Sequence, residues 1–117
     1  MTKDLWCYLV LLCAFSYFTW HFTNYLFADD LYCYDGDTCY FNDEPLRLLG
    51  VDTPELPTDR GYQARDFVNS WLSRSEEVEI VFSGRRGYYG RHLVDIYIDG
   101  QNLSETLIER GYGEVYE

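Results

Sequence analysis

The chain has 117 residues, enough for one domain with a small core and little stability to spare. Its 20 acidic residues outnumber 9 Lys and Arg. The resulting formal charge of -11 argues against a tight non-specific grip on nucleic acid, which needs many cationic phosphate contacts. Aromatic residues, at 19%, partly compensate for the short length because each buries a large area.

Residues 5–28 carry no charge. A spanning helix needs about 20 apolar residues, and a signal segment needs fewer. Three fates fit: a cleaved signal peptide with Ala14-Phe15-Ser16 at the cut, a membrane anchor over residues 5–27, or a buried part of the fold. Export or anchoring is the favoured reading, so residues 1–28 are divided from a domain at 29–117. The chain is then membrane-anchored or secreted, and cytoplasmic if the segment belongs to the fold. Cys7 and Cys13 read as small hydrophobes in this stretch. His21 reads as a packed or interfacial side chain.

Leu31 to Tyr34 read as a strand that enters a turn at Asp35-Gly36. Cys33 and Cys39 flank that turn, and either a bridge or two free thiols suits them. No His accompanies them at zinc-site spacing, which argues against a structural zinc. Cys39 to Phe41 and Leu46 to Val51 read as the two strands of a hairpin, with Asn42-Asp43-Glu44-Pro45 between them. Arg47 is the charged exception inside the second, nearly continuous apolar run. Pro54 then takes Asp52-Thr53-Pro54-Glu55 out of the sheet. Folding the hairpin brings Asp37 back towards Asp52. Two close carboxylates repel, and a hard divalent cation removes the conflict.

Residues 58–73 read as a helix, with Ala64, Phe67, Val68, Trp71 and Leu72 on one stripe and Thr58 or Asp59 as its cap. Gly61 weakens its first turn. Glu77 to Phe82 alternate as a half-buried strand. Ser83 to Gly90 read as a glycine-punctuated loop presenting Arg85, Arg86, Tyr88 and Tyr89. Arginine matches phosphate and tyrosine can stack on a base, although a long surface hairpin has the same composition. Leu93 to Ile98 form the next strand, with His92 facing away from Arg91. Asn102 or Ser104 caps a short helix through Arg110, and Gly111 suits the position after it.

Together these residues resemble the thermonuclease, or staphylococcal nuclease-like, family. The resemblance runs through Asp35-Gly-Asp-Thr38, Leu46-Arg-Leu-Leu-Gly-Val-Asp-Thr-Pro-Glu55 and Tyr89-Gly-Arg91. It continues through Asp99-Gly100, Asn102-Leu103 and Leu107-Ile-Glu-Arg-Gly111. It implies an α+β, mainly β fold: an OB-like five-stranded barrel with packed helices, here without the family's C-terminal helix. It implies a Ca²⁺-dependent phosphodiesterase that cleaves DNA and RNA and leaves 3′-phosphate ends. On this resemblance Asp37, Asp52 and the Thr53 carbonyl are metal ligands. Arg47 and Arg91 contact the scissile phosphate, Glu55 orients or activates water, and Tyr89 lies on the substrate side. Arg85 and Arg86 are further phosphate candidates, and Asp35 is expected to play a structural part. The expected partner is single-stranded DNA or RNA, bound by a monomer. The alternative is a catalytically inactive nuclease-fold module that binds nucleic acid or protein.

Overall fold

The computed structural model describes residues 30–116. The N-terminal apolar stretch and its proposed cleavage site lie outside those residues. Among the described residues no helix is long and apolar enough to cross a membrane. The expected membrane or signal placement is therefore carried by no helix of the described structure.

Strands β1 (Leu31–Cys33), β2 (Thr38–Phe41), β3 (Glu44–Leu48) and β4 (Val51–Asp52) precede helix α1 (Asp59–Arg74). Strands β5 (Val78–Arg86), β6 (His92–Ile98) and β7 (Gln101–Asn102) follow. Helix α2 (Leu103–Glu109) and β8 (Glu114–Val115) complete the order. The main sheet runs β1-β2-β3-β6-β5, with β7 paired to β6. Its β3–β6 contact is parallel and its other ladders are antiparallel.

The expected five-stranded barrel is corrected by this topology. The sheet stays open among the described residues, with β1 and β5 at opposite ends. The reason begins at Gly50. Its φ of 78° is open to glycine at little cost. The run from Leu46 to Val51 therefore breaks into β3 and β4, and β4 leaves to pair with β8 in a separate two-stranded ladder. The architecture is α+β: one mixed open sheet, a small ladder and two helices.

Strand alternation assigns the faces. Cys39, Leu46, Leu48, Val94, Ile96 and Ile98 point into the core and are almost completely buried. Ala64 and Val68 of α1 and Leu103 and Leu107 of α2 cover that side. Thr58 starts α1 by accepting the Gly61 N–H through its side-chain oxygen at 3.0 Å. Asn102 starts α2 in the same way, accepting from Glu105 at 3.0 Å. Each fully buried aliphatic side chain contributes about 1.5 to 3 kcal/mol of transfer free energy. The opposite face carries Thr38, Tyr40, Pro45 and Arg47, and it is there that the charged groups gather.

The strand expected at Glu77 to Phe82 continues to Arg86 through an irregularity between Phe82 and Arg86. The first half of the glycine-rich loop, Ser83 to Arg86, is thus strand, and the turn around Gly87 to Gly90 remains. Cys33 and Cys39, opposite one another in the β1–β2 register, are joined as a disulfide.

Candidate active site

Asp35 folds the turn between β1 and β2. Its Oδ1 accepts the backbone N–H groups of Asp37 (3.2 Å) and Thr38 (2.7 Å). Such side-chain acceptance replaces a backbone partner in a tight turn. Asp37 is thereby turned inward and buried. Its Oδ2 accepts the Thr53 N–H at 2.9 Å, and its Oδ1 accepts the Thr38 hydroxyl at 3.2 Å. One carboxylate thus ties the start of the hairpin to the segment leaving its end.

Arg47 stands directly opposite Thr38 in the β2–β3 register. Its Nη1 lies 3.5 Å from Asp37 Oδ2, and its Nη2 lies 3.6 Å from Asp52 Oδ1. Nη1 also donates to the carbonyls of Leu48 (3.0 Å) and Val51 (2.8 Å). The Tyr116 ring sits 5.4 Å from the guanidinium carbon. With only 13% of its side chain exposed, Arg47 is a fixed bridge between two carboxylates. Arg91 joins the same face: its Nη1 donates to Thr38 Oγ1 at 2.9 Å, and its guanidinium lies 5.5 Å from the Tyr89 ring centre. Thr38 consequently links Arg91 to Asp37.

The carboxyl groups differ in proton affinity. Burial is the largest influence on Asp37 and works to raise its pKa. The Thr53 N–H, Asp35 and Arg47 together outweigh it and hold the carboxyl below its ordinary value. Burial first, and then neighbouring Asp37, push Asp35 up to about 6. Asp52 is also raised, by partial burial first, then by Asp37, with Glu55 adding a smaller push. Asp37, Asp52 and Glu55 therefore form one electrostatically connected negative centre, bridged at Asp37 and Asp52 by Arg47.

Glu55 has an exposed side chain, and its backbone is held at the head of α1. Its carbonyl accepts the Thr58 hydroxyl at 2.6 Å. A Cβ at Gly61 would fall 2.5 Å from that same carbonyl oxygen. Glycine there is therefore a requirement of close approach as well as a weak helix former. Arg85 and Arg86 are not joined to the Arg47 group by any contact among the described residues. Arg86 donates to the Gly90 carbonyl at 3.0 Å, inside its own turn. Arg85 is exposed at the end of β5.

Three participants escape a reading by residue type. Thr38 carries the link between Asp37 and Arg91. Gly36 lets Thr53 approach, since a Cβ there would lie 2.7 Å from Thr53 Cγ2. Gly113 makes the same allowance for Val51, with a Cβ 2.7 Å from Val51 Cγ2. Gly36 and Thr38 are marked in the sequence only as members of the Asp35-Gly-Asp-Thr38 motif, and Gly113 only by its small size beside a chain crossing.

Among the described residues, no group of three or more His, Cys, Asp or Glu side chains is arranged to hold a metal ion. The oxygen donors at hand are the Asp37 and Asp52 carboxylates and Thr53, whose buried Oγ1 has no partner among the described residues. Mutually repelling carboxylates beside neutral oxygen suit a hard cation.

An uncharacterised protein of Methanocaldococcus jannaschii is 33% identical over 140 residues, covering 84% of this chain and 67% of that protein. An uncharacterised endonuclease of Escherichia coli O157:H7 is 33% identical over 88 residues, covering 71% of this chain and 56% of its own length. Endonuclease YncB of Bacillus subtilis is 33% identical over 95 residues, covering 69% and 44%. The chain thus spans about half of these two endonucleases. The family model described as staphylococcal nuclease homologue matches residues 45–117, from β3 to the C-terminus. By that match the chain belongs to the staphylococcal nuclease homologue family and so to the nuclease superfamily.

Proposed function

We propose that the protein is a metal-dependent nuclease, using Ca²⁺ to hydrolyse phosphodiester bonds of DNA or RNA and leaving 3′-phosphate ends. The observation that carries this reading is the Arg47 bridge between Asp37 and Asp52, with Arg91 tied to the same centre through Thr38. Asp37, Asp52 and the Thr53 carbonyl would hold the cation, which supplies positive charge to the phosphate and acidifies bound water. Arg47 and Arg91 donate to the non-bridging phosphate oxygens, where negative charge grows as phosphorus becomes five-coordinate. Arg47 gives up part of its carboxylate contact to do so. Glu55 orients the attacking water and accepts its proton. The water oxygen bonds to phosphorus while the bond from phosphorus to the 5′ oxygen breaks. The departing oxygen takes a proton from solvent.

The test is cleavage of fluorescent single-stranded DNA and RNA by the full chain, with Ca²⁺ or with EGTA. Arg91→Ala is expected to lower the saturated rate by about 100-fold or more, the scale of losing one transition-state donor. Arg85→Ala is expected mainly to raise KM, because its guanidinium lies outside the carboxylate bridge. A wild-type saturated rate in Arg91→Ala refutes the assignment. Binding by the folded wild type without any cutting in Ca²⁺ replaces it with the non-catalytic module.

A further inference from the structure

The face that carries Thr38 and Arg47 continues into a patch of aromatic rings that the reaction does not use. Tyr40 is two residues along β2 from Thr38, and therefore on the same face. It is opposite Pro45 on one side and Tyr32 on the other. The Tyr32 and Tyr40 rings are stacked, with centroids 5.4 Å apart and planes 19° apart. Tyr32 remains 50% exposed. Tyr34 follows on the same edge, donates its N–H to the Thr38 carbonyl at 2.9 Å, and is 58% exposed. None of these rings is needed by the core, which lies on the other side of the sheet.

We propose that Tyr32 and Tyr40 form a stacking platform for an unpaired base of a single-stranded nucleic acid, one or two nucleotides from the phosphate held by Arg47 and Arg91. This rests on the nuclease reading for the position of that phosphate. Two residues of strand span about 7 Å, and neighbouring strands lie about 5 Å apart. Those steps match the reach of one or two nucleotides. Two nearly parallel rings already begin a stack that a base extends. The charge balance points the same way. A chain with 9 Lys and Arg against 20 acidic residues has few phosphate contacts to offer, whereas stacking needs no counterion release. Every base has a π-face, so the platform holds single strands without reading their sequence. A paired base keeps its faces inside the duplex, so duplex substrates gain nothing from it.

The experiment uses the full chain and a fluorescent single-stranded decamer. Cleavage with Ca²⁺ and binding with EGTA, read by anisotropy, are measured separately. Tyr32→Leu and Tyr40→Leu are expected to raise KM and Kd by about five- to fiftyfold, with the saturated rate kept. The Phe variants, which retain the ring, should behave as wild type. An independent arm needs no substitution: an abasic site placed stepwise on either side of the cut should weaken wild-type binding at one position only. The same abasic site should cost the Leu variants nothing further. Folded Leu variants with wild-type KM and Kd overturn the platform, as does an abasic scan without a sensitive position. If nothing is cut with Ca²⁺ but the tyrosine and abasic contrasts persist in binding, the platform stands and the nuclease reading falls.

Discussion

Asp35 and Asp37 occupy one turn, and their carboxyl groups are driven apart in proton affinity. Asp35 is raised to about 6 by burial and by its neighbour. For a carboxyl, a raised folded value means that the fold binds more protons than the unfolded chain between about pH 4 and 6. Stability from this group is therefore full at low pH and declines as pH rises through that window. Asp37, whose value is lowered, acts in the opposite sense below it. Asp35→Asn keeps an oxygen to accept the Asp37 and Thr38 N–H groups and removes the charge. In EDTA it is expected to stabilise the protein by on the order of 1 to 2 kcal/mol at pH 7 and by little at pH 4. Urea unfolding across that range checks this, and parallel profiles for both proteins would refute it. At this scale the convergence of Asp37 and Asp52 is legible in the sequence, because a hairpin between them leaves few alternatives. The parts of Gly36 and Gly113 are not. Each is defined by a missing Cβ against a segment distant in the chain.

The turn that carries Asp37 owes its rigidity to the strands on either side. β1 has only three residues, too few for an edge strand to hold by its ladder alone. Asn69 of α1 clamps it by accepting the Cys33 N–H and donating to the Cys33 carbonyl, both at 2.9 Å. The Cys33–Cys39 disulfide closes the turn from inside the core. Cross-linking a loop this short stabilises by about 2 kcal/mol in the chain-entropy account. Replacing both cysteines by Ala is expected to lower unfolding stability by about that much. Dithiothreitol should do the same to wild type and leave the double variant unaffected. A wild type insensitive to reductant under conditions that open the fold would show that the bridge contributes nothing. Element type reads well from the sequence where a period is long, as in α1 with its Ala64 to Leu72 stripe. Element ends read poorly where a special backbone angle decides. Leu46 to Val51 appears as one apolar strand, yet Gly50 divides it. Ser83 to Arg86 appears as loop by composition, yet pairing with β6 extends the strand through it.

At the scale of the whole molecule, the decisive quantity is how much positive charge is left for a substrate. Arg65 pairs with Asp66 at 2.9 Å, Arg74 donates to the Ser70 carbonyl, and Arg110 lies over the Phe67 ring. All three contacts involve α1, away from the face that holds Arg47. Arg47 and Arg91 then remain as the cations of that face, with Arg85 and Arg86 on the β5 turn and Arg60 exposed in the first turn of α1. Closure of the sheet is a property of the same scale and is not legible in local patterns. Nothing in the apolar periods of β1 or β5 tells whether their outer edges meet, and the described sheet leaves them apart. Charge, by contrast, is read directly from composition. The phosphate contacts of Arg47 and Arg91 on a single strand predict a slope of about -1.4 in log binding against log salt, and contacts from Arg85 and Arg86 would carry it to about -2.8. Acidic groups around the site repel the substrate at long range, and salt screens that repulsion beyond about 8 to 10 Å. The two effects oppose each other. Raising salt from about 50 to 200 mM is therefore expected to lower kcat/KM by less than about fiftyfold, where a protein with six or more phosphate contacts loses about 1000-fold. Arg91→Ala should flatten the remaining slope by about 0.7, the share of one contact. Tyr32→Leu should leave the slope unchanged while lowering kcat/KM at every salt concentration, because stacking releases no counterions. A wild-type slope steeper than about -2.8, or a Tyr32→Leu line that diverges from wild type, would mean that phosphate contacts outside these four arginines hold the strand.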